Sequence, residues 1–341
     1  MCQYSVLDGS GVPQQWHLIH LSSFAIGGSG LVMAEASAVN PIGRISPHDT
    51  GIWNDAHVQA WQPITTHISD FGSVPAIQLA HAGRKASTWP DWGAGGNRGA
   101  LPSDQGGWET VAPSAIAFSG LETPRALDAA GIDEVVEDFR QAARRSIEAG
   151  FRVLEIHAAH GYLLHQFLSP LANIRTDEYG GSLENRARLL LRVVREIRAE
   201  IGDEVPLFVR FSATDWVPGG WDEQQTATVA RWAQEAGADL FDISSGGIDD
   251  GITIPFISPG YQVPLAAFVR KNASVPVSAV GMITTGEQAA SILAEGHADA
   301  VMVGREFLRD PRFALRVARE LGVTDVPWPP QYQRARWATA R

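Results

Sequence analysis

One phrase returns three times in this 341-residue chain. A helical stretch ends on Glu148-Ala149-Gly150, on Glu235-Ala236-Gly237 and on Ala294-Glu295-Gly296, and an apolar run follows each time. Glycine takes the left-handed backbone just past a helix C-terminus without a Cβ penalty. A repeated helix–Gly–strand phrase is the product of βα units. Seven apolar runs fit buried strands: 31–35, 76–79, 153–157, 207–211, 240–244, 277–280 and 300–303. Each is near-continuous rather than alternating, as a strand covered on both faces requires. Between them, 132–149 places Ile132, Val135, Val136, Phe139, Ala142, Ala143 and Ile147 close to helical period, and 183–201 and 222–236 read the same way. The expected fold is α/β, a (β/α)8 TIM barrel forming one domain over 1–341. The eighth strand comes first. Met1-Cys2-Gln3-Tyr4-Ser5 reads as its last residues, so the first strand is truncated at the N-terminus. The segment 86–120, rich in Gly, Pro, Ser and Trp, is expected over the catalytic face as a lid or wall, with 325–341 as a C-terminal tail.

Composition narrows the partners. Net charge is −11 and no basic cluster stands out, which argues against nucleic acid or an anionic membrane surface. No apolar run approaches the roughly 20 residues that cross a bilayer. The start shows no basic-then-apolar signal, and the expected setting is cytoplasmic. Cys2 is the one cysteine, so an intrachain disulfide and a cysteine-held iron–sulfur cluster are both excluded.

The richest chemistry lies in His157-Ala158-Ala159-His160-Gly161-Tyr162, directly after the run Val153-Leu154-Glu155-Ile156. In a parallel α/β protein the C-terminal ends of strands carry the ligand. Two imidazoles and a phenol leaving one strand end can hold a carbonyl oxygen and deliver a proton beside it. Two histidines at this spacing could also share a metal, although no third ligand group is evident. Gln78, in Gln78-Leu79-Ala80-His81-Ala82-Gly83-Arg84-Lys85, offers a donor and an acceptor to a flat heterocycle, or is simply a polar residue at a strand end. Arg210 sits inside an apolar strand, which calls for an ion-pair partner or an anionic ligand. Ser244-Ser245-Gly246-Gly247, Gly281 and Gly304-Arg305 end the last three strands, where such barrels hold a phosphate. The run Ile26-Gly27-Gly28-Ser29-Gly30 precedes a strand rather than following one, so it is not a dinucleotide fingerprint.

These stretches resemble the Old Yellow Enzyme family of FMN-dependent ene-reductases, in its thermophilic-like (YqjM-like) branch. The resemblance rests on Met1 to Ser5, Glu35-Ala36-Ser37-Ala38-Val39, Gln78 to Lys85, and His157 to Arg188 with Arg175-Thr176-Asp177-Glu178-Tyr179-Gly180-Gly181-Ser182 inside it. It extends through Val280-Gly281-Met282-Ile283, Gly304-Arg305-Glu306 and Gln331-Tyr332-Gln333-Arg334.

The resemblance implies FMN at the barrel mouth, NADPH as a transient reductant, and ping-pong turnover. Met1, Cys2, Ala36, Gln78 and Arg210 would line the flavin ring, with Arg210 near its N1 edge and the Cys2 thiol tuning it. Ser244, Gly281, Gly304 and Arg305 would surround the ribityl chain and phosphate. His157 and His160 would hold the substrate carbonyl, Tyr162 would protonate the α-carbon, and Tyr4 would add a donor to the substrate. Arg334, or Arg336 beside it, would reach a neighbouring subunit's site in a homodimer or dimer-based tetramer. The alternative reading is a metal-dependent barrel hydrolase using His157 and His160. A third is a flavin-binding protein without catalysis.

Overall fold

The structure is a computed structural model and describes residues 2–93 and 96–337. In chain order it runs α1 (Gln15–Ile26), β1 (Leu31–Ala38), α2 (Asp55–Asp70), β2 (Val74–Ala80), β3 (Val111–Ala112), β4 (Arg125–Ala126), α3 (Ala129–Glu148), β5 (Val153–Ala158), α4 (Leu163–Leu168) and α5 (Leu183–Ile201). It continues with β6 (Leu207–Ser212), α6 (Glu223–Glu235), β7 (Leu240–Ser244), α7 (Val263–Ala273), β8 (Val277–Ala279), α8 (Gly286–Ala294), β9 (Ala300–Val301), α9 (Arg305–Arg309) and α10 (Phe313–Glu320). All seven expected strands form. They make one parallel sheet in the order β1-β2-β5-β6-β7-β8-β9, and β3 pairs with β4 apart from it.

The outer helices start where short polar side chains satisfy free N–H groups. Asp128, Ser182, Asp222 and Thr285 cap α3, α5, α6 and α8 by accepting from the backbone three residues on. The inward stripe of α3 is as the period predicts, with one change. Ile147 is 37% exposed and Ser146 is buried in its place, its hydroxyl bonded to the Ala142 carbonyl at 2.7 Å. That bond lets a small polar residue close the tight helix–strand contact.

The segment expected to end the first strand does not form one. The Gln3 N–H donates to Glu35 Oε2 at 2.6 Å instead of to a strand carbonyl, and Tyr4 takes φ +51°, outside the extended region. Among the described residues no ladder joins β9 to β1, so the sheet is a seven-stranded curl. Met1 lies outside the described residues.

Segment 86–120 holds itself against the barrel by indole contacts. Trp108 donates to the Ile42 carbonyl at 2.9 Å with Arg44 over its ring, and Trp92 stacks on His48. After α10 the chain folds back. Arg312 lies over Tyr332 and Arg319 over Trp337, and Trp328 meets Trp337 edge-on.

Candidate active site

Parallel register carries the polar side chains of neighbouring strands to one level. Gln78 of β2 is opposite Glu155 of β5, His157 is opposite Arg210 of β6, and Arg210 is opposite Asp242 of β7. They make two separate polar groups within the sheet. Gln78 Nε2 donates to Glu155 Oε1 at 2.6 Å, Arg210 Nε lies 3.3 Å from Asp242 Oδ2, and Ser278 donates to Asp242 Oδ1 at 2.8 Å. Burial and the nearby Asp242 charge push the Glu155 carboxyl up to about 7. Arg210 therefore has the ion-pair partner that its position in an apolar strand demanded, while its side chain remains 20% exposed.

Beyond β5 the main chain turns sharply. His160 (φ +56°) and Gly161 (φ +74°) are both left-handed. A Cβ on Gly161 would sit 2.1 Å from the Gly247 carbonyl oxygen, so only glycine fits there. The turn brings the three predicted groups together. The His157 ring meets His160 at 5.2 Å and Tyr162 at 4.9 Å, both edge-on. His157 Nδ1 accepts the Ala159 N–H at 3.2 Å, which leaves the ring proton on Nε2 as a free donor. His160 Nε2 lies 2.8 Å from the Ser244 hydroxyl. Burial and the Arg210 charge hold both imidazoles well below their ordinary value, so they are neutral at pH 7. Burial likewise pushes the Tyr162 phenol well up, so it keeps its proton.

Lys85 completes this group and carried no assigned role in the sequence. Its ammonium donates to the carbonyls of His160 (3.0 Å) and Gly247 (3.1 Å) and lies 5.3 Å from the Tyr162 ring. Burial draws it down to about 8. Its one signal in the sequence was a pair of cations, Arg84-Lys85, a few residues past a buried strand.

The remaining predicted residues fall into two sets. Ala36 lies with Ala38, Ala80, Ala82 and Tyr162 on the wall of one small cavity. Cys2 is partly buried, and burial with the Asp49 and Glu35 carboxylates pushes its thiol up. Tyr4 is partly buried and its phenol is raised by burial. Gly281 (φ +122°) turns the chain after β8, and Gly304 caps α9 with Arg305 exposed at its start. Arg334 stands apart from these within the chain. It is exposed in the 3-10 turn Pro330–Ala335 beside α10, and Arg336 donates to the Thr324 carbonyl.

A flavin mononucleotide suits this set. Small alanine side chains line one wall, and the part-exposed Arg210 supplies a cation within β6. A Cβ at Gly281 would crowd Gln262 Nε2 at 2.8 Å, so the close-packed turn after β8 calls for glycine. Glu155 Oε2 is buried without a partner, an acceptor directly behind the Gln78 amide. Among the described residues no three His, Cys, Asp or Glu side chains converge as a metal set.

Residues 1–323 match the NADH:flavin oxidoreductase / NADH oxidase family. The chain belongs to that family. The NADPH dehydrogenase of Bacillus subtilis (strain 168) is 46% identical over 335 residues, covering 98% of this chain and 92% of that protein. Among solved structures, the Old Yellow Enzyme homologue from Zymomonas mobilis aligns with a TM-score of 0.75 and 30% identity, over 99% of this chain and 92% of that one. Morphinone reductase in complex with tetrahydroNAD aligns with a TM-score of 0.75 and 28% identity, over 97% and 87%. The protein is thus an FMN-dependent oxidoreductase of the Old Yellow Enzyme family, and the seven-stranded curl is part of that family's TIM barrel.

Proposed function

We propose that this Old Yellow Enzyme family member is an NAD(P)H-dependent ene-reductase that reduces activated C=C bonds in enones, enals and maleimides by ping-pong turnover. The observation that carries the reading is the cluster of His157, His160 and Tyr162 around one strand end. FMN, when bound, would supply hydride chemistry with NADPH as its source, directed at the β-carbon of the acceptor. The neutral imidazoles of His157 and His160 donate to the carbonyl oxygen and draw electron density away from the C=C bond. Tyr162 delivers a proton to the α-carbon, and the nearby Lys85 ammonium steadies the phenolate left behind. Gln78 and Arg210 hold the ring, and Arg210 offsets the negative charge of the reduced form. Cys2 and Ala36 would line the same ring, while Ser244, Gly281, Gly304 and Arg305 would hold the ribityl phosphate. Tyr4 adds a donor to the substrate.

The B. subtilis NADPH dehydrogenase supports NADPH as reductant. The exposed position of Arg334 supports a role outside its own subunit, in a homodimer or dimer-based tetramer. No helix among the described residues is long and apolar enough to cross a membrane.

The test is the visible spectrum of the purified protein, followed by anaerobic NADPH and then 2-cyclohexenone. A flavin band that bleaches and returns is the expected result. Tyr162→Phe should slow the return about 100-fold and spare the bleaching. A colourless protein that FMN cannot reconstitute, with activity lost to a chelator, would favour the metal-dependent hydrolase instead. A flavin that bleaches but never returns with any acceptor would leave binding without ene reduction.

A further inference from the structure

The Gly161 peptide groups are fastened on both sides by α4. The Gly161 N–H donates to His165 Nδ1 at 2.9 Å, and the Gly161 carbonyl accepts from Gln166 Nε2 at 2.7 Å. Behind the imidazole, His165 Nε2 lies 3.1 Å from Asp215 Oδ1. The two atoms meet as a close ion contact rather than an aligned hydrogen bond, and neither has a hydrogen-bond partner elsewhere. The second carboxylate oxygen, Oδ2, accepts from the Ser169 hydroxyl at 2.6 Å and from the Trp221 N–H at 2.8 Å. His165, Ser169 and Asp215 are all fully buried.

A buried histidine–carboxylate pair is a poor source of stability, because desolvation offsets most of the attraction. What it supplies is direction. The Gly161 N–H requires a lone pair on Nδ1, so the proton stays on Nε2, where only Asp215 can accept it. Burial would raise the Asp215 carboxyl, but His165, Ser169 and the Trp221 N–H outweigh it and hold it below its ordinary value. The acceptor is therefore a carboxylate, fixed in orientation by two further donors.

We propose that His165, oriented by Asp215, is a positioning residue that fixes the Gly161 peptide and thereby sets where His160 and Tyr162 stand. What those two side chains then do rests on the ene-reductase reading. Asp215→Asn is the sharpest probe. Its amide oxygen must stay with Ser169 and Trp221, so its NH2 faces His165 Nε2. The imidazole then carries its proton on Nδ1, pointing at the Gly161 N–H. Two donors face each other and the turn is released.

The experiment uses the full FMN-loaded chain. Reduction by NADPH and reoxidation by 2-cyclohexenone are timed separately, alongside peptide-resolved hydrogen exchange over 157–166. Asp215→Asn and His165→Leu should slow reoxidation about ten-fold or more, change reduction by less than about two-fold, and speed exchange in that peptide. His165→Gln keeps an acceptor oxygen and should recover part of the loss. Equal slowing of both half-reactions, or wild-type reoxidation in Asp215→Asn, would overturn the proposal. Should Asp215→Asn not fold, Ser169→Ala gives a milder version with the same split expected, and wild-type behaviour there counts against the assignment. If the wild type itself is not reoxidised by the enone, the ene-reductase reading fails on its own. Exchange then decides the clamp: faster in Asp215→Asn supports it, unchanged removes it.

Discussion

Arg210 Nε lies 3.3 Å from Asp242 Oδ2, directly across the β6–β7 ladder, and Asp242 is wholly shut off from solvent. The pair has two consequences that separate by mutation. Arg210→Met removes the cation and strands a buried carboxylate. That should cost about 3 kcal/mol, read as a lower denaturant midpoint, as well as weaken flavin retention. Arg210→Met/Asp242→Leu removes both charges, so it should regain most of the stability while flavin retention stays poor. Recovery of both together would mean that Arg210 serves the fold alone.

Gly161→Ala should abolish enone reduction. The added methyl meets the Gly247 carbonyl at 2.1 Å, and the residue must hold φ +74°. The turn must open, which carries His160 and Tyr162 apart. Gly72→Ala, with nothing within 4 Å of its Cβ, is the control, since it also imposes positive φ. Its cost should be confined to about 1 kcal/mol of stability, with activity kept.

Lys85 predicts an alkaline limb. Its ammonium titrates near 8 because of burial, and above that pH the charge beside Tyr162 is lost. Enone-dependent reoxidation should therefore decline above pH 8 in the wild type. Lys85→Met should be slower below that pH, with the decline near 8 absent. An identical limb in both proteins would assign it to another group.

Acid should weaken the fold. Burial lowers His20, His57 and His81 to about 4, and His157 and His160 lie well below 6.5. As pH falls below 6.5 the unfolded chain takes up protons on these five histidines before the folded chain does. Their contribution is present above 6.5 and is lost as pH falls. Asp49 and Glu155, raised by burial to about 7, act in the opposite sense, since the folded chain holds their protons. Five sites outnumber two, so the thermal midpoint should drop between pH 7 and pH 5. A midpoint that rises over that range would contradict the neutral imidazoles.

The strands and the cluster of His157, His160 and Tyr162 were legible because both are local. An apolar run such as 207–211 needs no partner to be recognised, and His157, His160 and Tyr162 follow one strand end. Contacts made across the barrel were not. Nothing near Lys85 in sequence points to the carbonyls of His160 and Gly247, which lie 75 and 162 residues away. His165 reads as one more helical residue until β6 brings Asp215 behind it. Tyr4 was misread with its neighbours as strand, because the Glu35 carboxylate that takes the Gln3 N–H is brought near only by folding. The back-folded tail rests on cation–aromatic pairs that no periodicity announces.

The turn from His160 to Tyr162 is held by parts of the chain that fold far apart. Ser212 at the end of β6 accepts the His160 N–H at 2.9 Å, Ser244 at the end of β7 meets its ring, and Lys85 after β2 takes its carbonyl. Such a turn acts as a gauge of its surroundings. Loosening of any one strand end reaches His160 and Tyr162 before the barrel as a whole gives way. Heat should silence this enzyme several degrees below the temperature at which its helices melt, and the interval measures how unevenly the barrel is held together.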